Sequence, residues 1–259
     1  MTFPDASIRR ASIRPSPVFL GVLALAAAGG VVAWQAEPRS TTAHVGVFLL
    51  VVAGWVVTVC LHEFGHAYTA WRYGDHEVAA RGYLTLNPLK YSHPLLSIGL
   101  PVLFIALGGI GLPGGAVYLR TDLMSASAAR RISLAGPAVN AVAAAVLLLV
   151  IRIFGDAGSQ PVFWYGLSFL AFLQVMATVL NLLPVPGLDG YAALEPSLSP
   201  RVRRSLDQFK GLGLMFLVAL LFVPAINVAF FDTIYWLFGL SGIPESWPQY
   251  GNYLMRFWL

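Results

Sequence analysis

Apolar runs at about 17–35, 45–71, 94–118, 131–154, 162–183 and 211–240 leave this chain few folds to choose from. Each is near or above the ~20 residues that a helix needs to cross the hydrocarbon core of a bilayer. Only 11% of the 259 residues are charged, less than half the ~25% of an ordinary soluble domain. The pattern predicts an all-α integral membrane protein, a polytopic helical bundle of about six membrane segments forming one membrane-embedded domain over residues 1–259. The net charge of +4 lies in short loops beside apolar runs, where it acts as an orientation signal and gives no nucleic-acid footprint. Cys60 is the single cysteine, so no intramolecular disulfide forms, and its expected place is in the apolar interior.

Basic residues order the segments. Arg9, Arg10 and Arg14, then Arg72, Arg81 and Lys90, then Arg130 and Arg131, then Arg201, Arg203, Arg204 and Lys210 are expected on the cytoplasmic side. The arginines ahead of the first run give it the look of a signal peptide, but the run is long for a signal core and is expected to stay as a span. Segment 94–118 has basic connections at both ends and is broken by Gly108, Gly109, Gly111, Pro113, Gly114 and Gly115, so a re-entrant loop or hairpin is predicted there. Before it, Gly82 to Pro88 alternates like a short membrane-associated strand ending in a turn. Such an edge could pair with an extended peptide; the alternative is an interfacial loop without a ligand.

The second run ends Leu61-His62-Glu63-Phe64-Gly65-His66. On a helix, His62 and His66 project from one face and suit one tetrahedral Zn²⁺, while Glu63 flanks the open position as general base. A chance H-E-x-x-H in this composition has a probability of about 0.2%, so the motif carries weight. Glu63 is also the single acid between His44 and Trp71, and an ionised group deep in a membrane helix needs compensation, costing about 2.5–3.5 kcal/mol on insertion scales. A catalytic zinc usually takes a third protein ligand. Asp189, in Asn181-Leu182-Leu183-Pro184-Val185-Pro186-Gly187-Leu188-Asp189-Gly190, is the candidate: proline and glycine loosen the helix there, and the charge pattern puts it on the same side as the histidines.

With these residues in place the chain resembles the site-2 protease family of intramembrane zinc metalloproteases. The likeness rests on His62-Glu63-Phe64-Gly65-His66, Leu86-Asn87-Pro88, Ala135-Gly136-Pro137 with Asn140, and the stretch from Asn181 to Gly190. The resemblance implies one zinc per chain held by His62, His66 and Asp189, with Glu63 as base and a catalytic core over about 45–195. It also implies cleavage of transmembrane protein substrates in regulated intramembrane proteolysis, with a regulatory membrane protein as a further partner. No stretch matches the periplasmic domain or the appended ligand-binding module of some members.

Asn181 and Asn140 are candidates for substrate or transition-state support, each with a helix-packing alternative. His93, before Pro94, has a substrate-side role or none, and His44 and His76 read as ordinary loop residues. The run Arg201-Val202-Arg203-Arg204 reads as an anchor beside anionic lipid. The expected location is the plasma membrane, with the site toward the cytoplasm. A membrane metal transporter or sensor, or an inactive relative serving as scaffold, is the competing reading; the first has no need of an unliganded Glu63.

Overall fold

The computed structural model describes residues 13–91, 124–209 and 223–256. Four helices in it are long and apolar enough to cross a membrane: α1 (Pro17–Gln35), α2 (Thr41–Arg72), α3 (Ala126–Phe154) and α4 (Pro161–Leu182). They coincide with four of the six expected runs. α2 and α3 begin several residues before their apolar runs, because Ser40 and Ser125 cap them by accepting from the Ala43 and Ala128 N–H groups. At about 1.5 Å per residue, the 32 residues of α2 outrun the ~30 Å core.

α2 is the shared wall of the bundle. α1 returns antiparallel along it through small residues: a Cβ on Gly29 would lie 2.8 Å from the Leu49 carbonyl carbon, and one on Gly46 would lie 2.9 Å from Ala33 Cα. Close backbone approach of this kind suits helices in lipid, where dispersion and shape drive association. α4 runs parallel to α2, with Gly166 beside Val47, Leu170 beside Gly54 and Gln174 beside Thr58. Most of its residues are buried, as expected of a helix that is apolar on nearly all sides. α3 is antiparallel to both and brings Gly136 to the histidines of α2.

Shorter helices follow: α5 (Asp189–Leu194), α6 (Pro200–Asp207), which buries none of its residues, α7 (Pro224–Gly239) and α8 (Ser246–Met255). α8 docks on α4, where Tyr250 stacks on Tyr165 at 5.2 Å. Of the run at 211–240, the described part is α7, whose 16 residues are short of a full span. Segment 94–118 with its predicted hairpin, and His93, lie outside the described residues.

Residues 82–88 correct the sequence reading, for the described chain has no strand there. Tyr83–Thr85 and Pro88–Lys90 are 3-10 turns. Gly82 (φ 79°) and Leu86 (φ 57°) are left-handed and turn the chain at both ends of the first, while Asn87 accepts from the Leu89 N–H. Tyr83 and Leu84 are neighbours yet both buried, packed with Ala67, Ala70 and Ile132; alternation therefore has no two faces to serve. The Thr85 carbonyl accepts from the Ser16 N–H at 2.8 Å, tying this loop to the start of α1. His44 is likewise no loop residue: it lies in the first turn of α2, its ring 5.9 Å from that of Tyr253. Cys60 is fully buried.

Candidate metal centre

His62, Glu63 and His66 sit in the last third of α2, and all three are buried, Glu63 to 2% exposure. Spacing of four residues puts both imidazoles on one face, and their Nε2 atoms are 3.1 Å apart. Asp189, at the first turn of α5, supplies the third atom: its Oδ2 lies 3.3 Å from each Nε2. The carboxylate reaches this point because the chain leaves α4 at Leu182 and re-enters a helix at Asp189 after Pro184, Pro186 and Gly187. Gly190 makes the return tight, since a Cβ there would collide with the Leu182 carbonyl. Asp189 is 23% exposed although its Oδ2 is enclosed, so the site borders the polar end of the bundle.

The donor chemistry fits a cation. The His66 Nδ1–H donates to the Ile132 carbonyl of α3 at 2.7 Å, which leaves the Nε2 lone pair free to face His62 and Asp189. Asp189 supplies a carboxylate oxygen, its Oδ2, to the same point. Two nitrogen lone pairs and a carboxylate oxygen aimed at one point are a favourable arrangement around a cation. Tetrahedral zinc with donors at ~2.0–2.1 Å separates those donors by ~3.3–3.4 Å, close to the 3.1–3.3 Å found here. Space is provided by Gly136: a Cβ there would strike His66 Nε2 and lie 2.6 Å from His62 Nε2. In the sequence Gly136 signals close helix approach; the structure shows that what it approaches is the donor set. Next to it Pro137 lacks the N–H that the Ser133 carbonyl would otherwise receive.

Other candidates are placed less directly. Asn140 is buried on α3 one turn beyond Gly136, and Asn181 is buried at the end of α4 beside the Leu182 that Gly190 abuts. His76 is exposed, in the turn that follows α2. Glu63 lies within electrostatic reach of His66 and of Tyr91, whose hydroxyl donates to the Cys60 carbonyl at 3.2 Å. The Ile132 carbonyl and the buried Thr58–Gln174 pair escape sequence reasoning. A polar Gln in the apolar run of α4 is the visible signal for the second of these.

A bundle of membrane helices that gathers an H-E-x-x-H pair and a distant aspartate into one metal-binding group defines a membrane protein with a metalloprotease-type centre. Known proteins agree. The chain is 58% identical over 250 residues, 96% of each chain, to "Putative zinc metalloprotease Rip2" of Mycolicibacterium smegmatis. It is 56% identical over 251 residues, again 96% of each, to the protein of the same name from Mycobacterium tuberculosis. "Putative zinc metalloprotease YwhC" of Bacillus subtilis is 30% identical over 185 residues, 65% of this chain and 78% of the relative. No family model matches the chain, and no solved structure matches it. The chain belongs to the site-2 protease family of intramembrane zinc metalloproteases.

Proposed function

We propose that this chain is a site-2-type zinc endopeptidase that hydrolyses peptide bonds of transmembrane proteins within the bilayer, with one zinc held by His62, His66 and Asp189. The observation that carries the reading is the convergence of those three donor atoms at 3.1–3.3 Å, with the buried Glu63 adjacent in sequence. A zinc ion held by these three residues would supply Lewis acidity and make water a stronger nucleophile near neutral pH. Glu63 takes a proton from the attacking water and returns it to the leaving amine. Gly136 keeps the donor pocket clear, and the partly exposed Asp189 marks the side from which water enters. Asn181 and Asn140, both buried near the centre, are candidates to hold the substrate carbonyl. A transmembrane substrate must unwind locally before its carbonyl can be attacked, since helical hydrogen bonds occupy it.

Orientation follows from charge. Arg131 donates to the Tyr73 hydroxyl at 2.7 Å and Arg130 to Ser197 Oγ at 2.6 Å, so basic residues from several connections gather at the metal end. That supports a cytoplasm-facing site in the plasma membrane. Family membership supports a place in regulated intramembrane proteolysis, with a regulatory membrane partner besides the substrate and no nucleic acid.

Glu63→Gln tests the reading. In proteoliposomes carrying a transmembrane substrate, this variant loses about 10²–10⁴-fold of the cleavage rate and still binds zinc stoichiometrically. Cleavage at the unmodified rate would refute the base assignment, and a metal transporter would move zinc regardless of the substitution.

A further inference from the structure

The two imidazoles are held unequally. His66 is fixed through Nδ1 by the Ile132 carbonyl. His62 presents its Nε2 to the same point; with a cation there its Nδ1 carries the proton, and that atom is buried with no hydrogen-bond partner among the described residues. Buried donors of this kind are rare and call for an explanation, and imidazoles that ligate a metal nearly always donate their other N–H to an outer partner.

Thr58 lies one turn before His62 on the same face of α2. Its hydroxyl donates to the Trp55 carbonyl at 2.8 Å, so toward Gln174 of α4, 2.9 Å away, it acts as acceptor. That fixes the amide: the NH₂ group faces Thr58, and Oε1 is turned elsewhere. Gln174 is 1% exposed, and its Oε1 is a buried acceptor with no partner among the described residues. Thr58 thus connects the two: it holds the Gln174 amide at 2.9 Å and lies one helical turn from His62 on α2. Helical side chains lean toward the N-terminus of their own helix, which carries the His62 ring toward the turn of Thr58.

Resting on the metal reading above, we infer that Gln174 is a positioning residue for the metal centre. Held in orientation by Thr58, its Oε1 accepts the His62 Nδ1–H through one bridging water. The pair of unmet groups gives such a water the polar partners it needs. The link gives His62 from α4 what the Ile132 carbonyl gives His66 from α3, so all three spanning helices of the core set the ligand geometry.

The test uses the full chain in detergent with Zn²⁺ alone as probe, read by competition with a chromogenic chelator, and Co²⁺ as a spectroscopic substitute. Gln174→Leu is expected to lower zinc affinity about 10–100-fold and to alter the visible Co²⁺ spectrum, while the zinc-free protein melts no lower than the unmodified one. Gln174→Glu keeps a carbonyl-type acceptor at the same position and restores most of the affinity. Thr58→Val frees the amide to turn and shifts affinity in the same direction by less, which preserves the test if the leucine variant does not fold. Unchanged affinity and spectrum in the variants that fold overturn the inference, as does a lowered melting temperature with affinity intact, the signature of a helix-to-helix bond and nothing more. An unmodified chain that takes up no zinc sinks the metal reading and this inference together; full uptake by the variants sinks the inference alone.

Discussion

Glycine lies at helix crossings in both halves of the bundle, but with different neighbours. Where α1 crosses α2, Cβ atoms added to Gly29 and Gly46 would meet backbone, within 2.8 Å of the Leu49 carbonyl carbon and 2.9 Å of Ala33 Cα. Where α3 crosses α2, a Cβ on Gly136 would meet the imidazole nitrogens. In the first half the missing side chain lets two backbones touch, and the contact itself is the product. In the second it keeps a small volume clear, bounded by lone pairs, in which an ion is the natural occupant. The polar inventory divides the same way: His62, His66 and Asp189 meet beside Gly136, with Glu63 next to them on α2 and the buried Asn140 one turn along α3, whereas the other crossing is lined by alanine, valine and leucine.

Substitutions at the two crossings separate the roles. Gly136→Ala should have the largest effect: its methyl displaces the imidazoles, and at about 1–3 kcal/mol for such overpacking zinc affinity falls roughly 10–100-fold. Chelator competition measures it, and unaltered affinity would mean that the crossing has slack the geometry does not show. Gly46→Val should instead lower stability by about 1–3 kcal/mol while the folded fraction binds zinc as before; unfolding in detergent, followed alongside zinc titration, distinguishes them. The smallest change belongs to the rim. Arg131→Ala removes an exposed hydrogen bond to Tyr73 and should shift stability by no more than about 0.5 kcal/mol with cleavage unchanged, so a large loss of activity there would extend the functional region beyond the buried centre.

Four spans are legible in the sequence because apolar length is a local property that needs no knowledge of neighbours. Helix starts are less so: Thr41 and Ala126 begin where Ser40 and Ser125 cap, a hydrogen-bonding event that hydropathy does not register. The strand expected at 82–88 fails for a related reason. Alternation specifies a strand where a sheet partner separates two faces, and here Tyr83 and Leu84 both turn into the packing of α2 and α3. His62, Glu63 and His66 are legible together because one helix carries them. Asp189 is legible by elimination and by charge topology, and the structure brings it to the imidazoles.

By itself the sequence determined that this chain lives in a membrane, that its second span carries an H-E-x-x-H pair, and that its acids are too few to leave many partners for that pair. Periodicity and composition act within a segment, and those conclusions need nothing more. Only the tertiary structure decided that Gly136 stands against the donor nitrogens, that Ile132 orients His66, and that Thr58 turns Gln174 toward its unmet acceptor role. Each of these depends on the register between two helices distant in sequence, which is set by side-chain packing across the bundle and is written in no single segment.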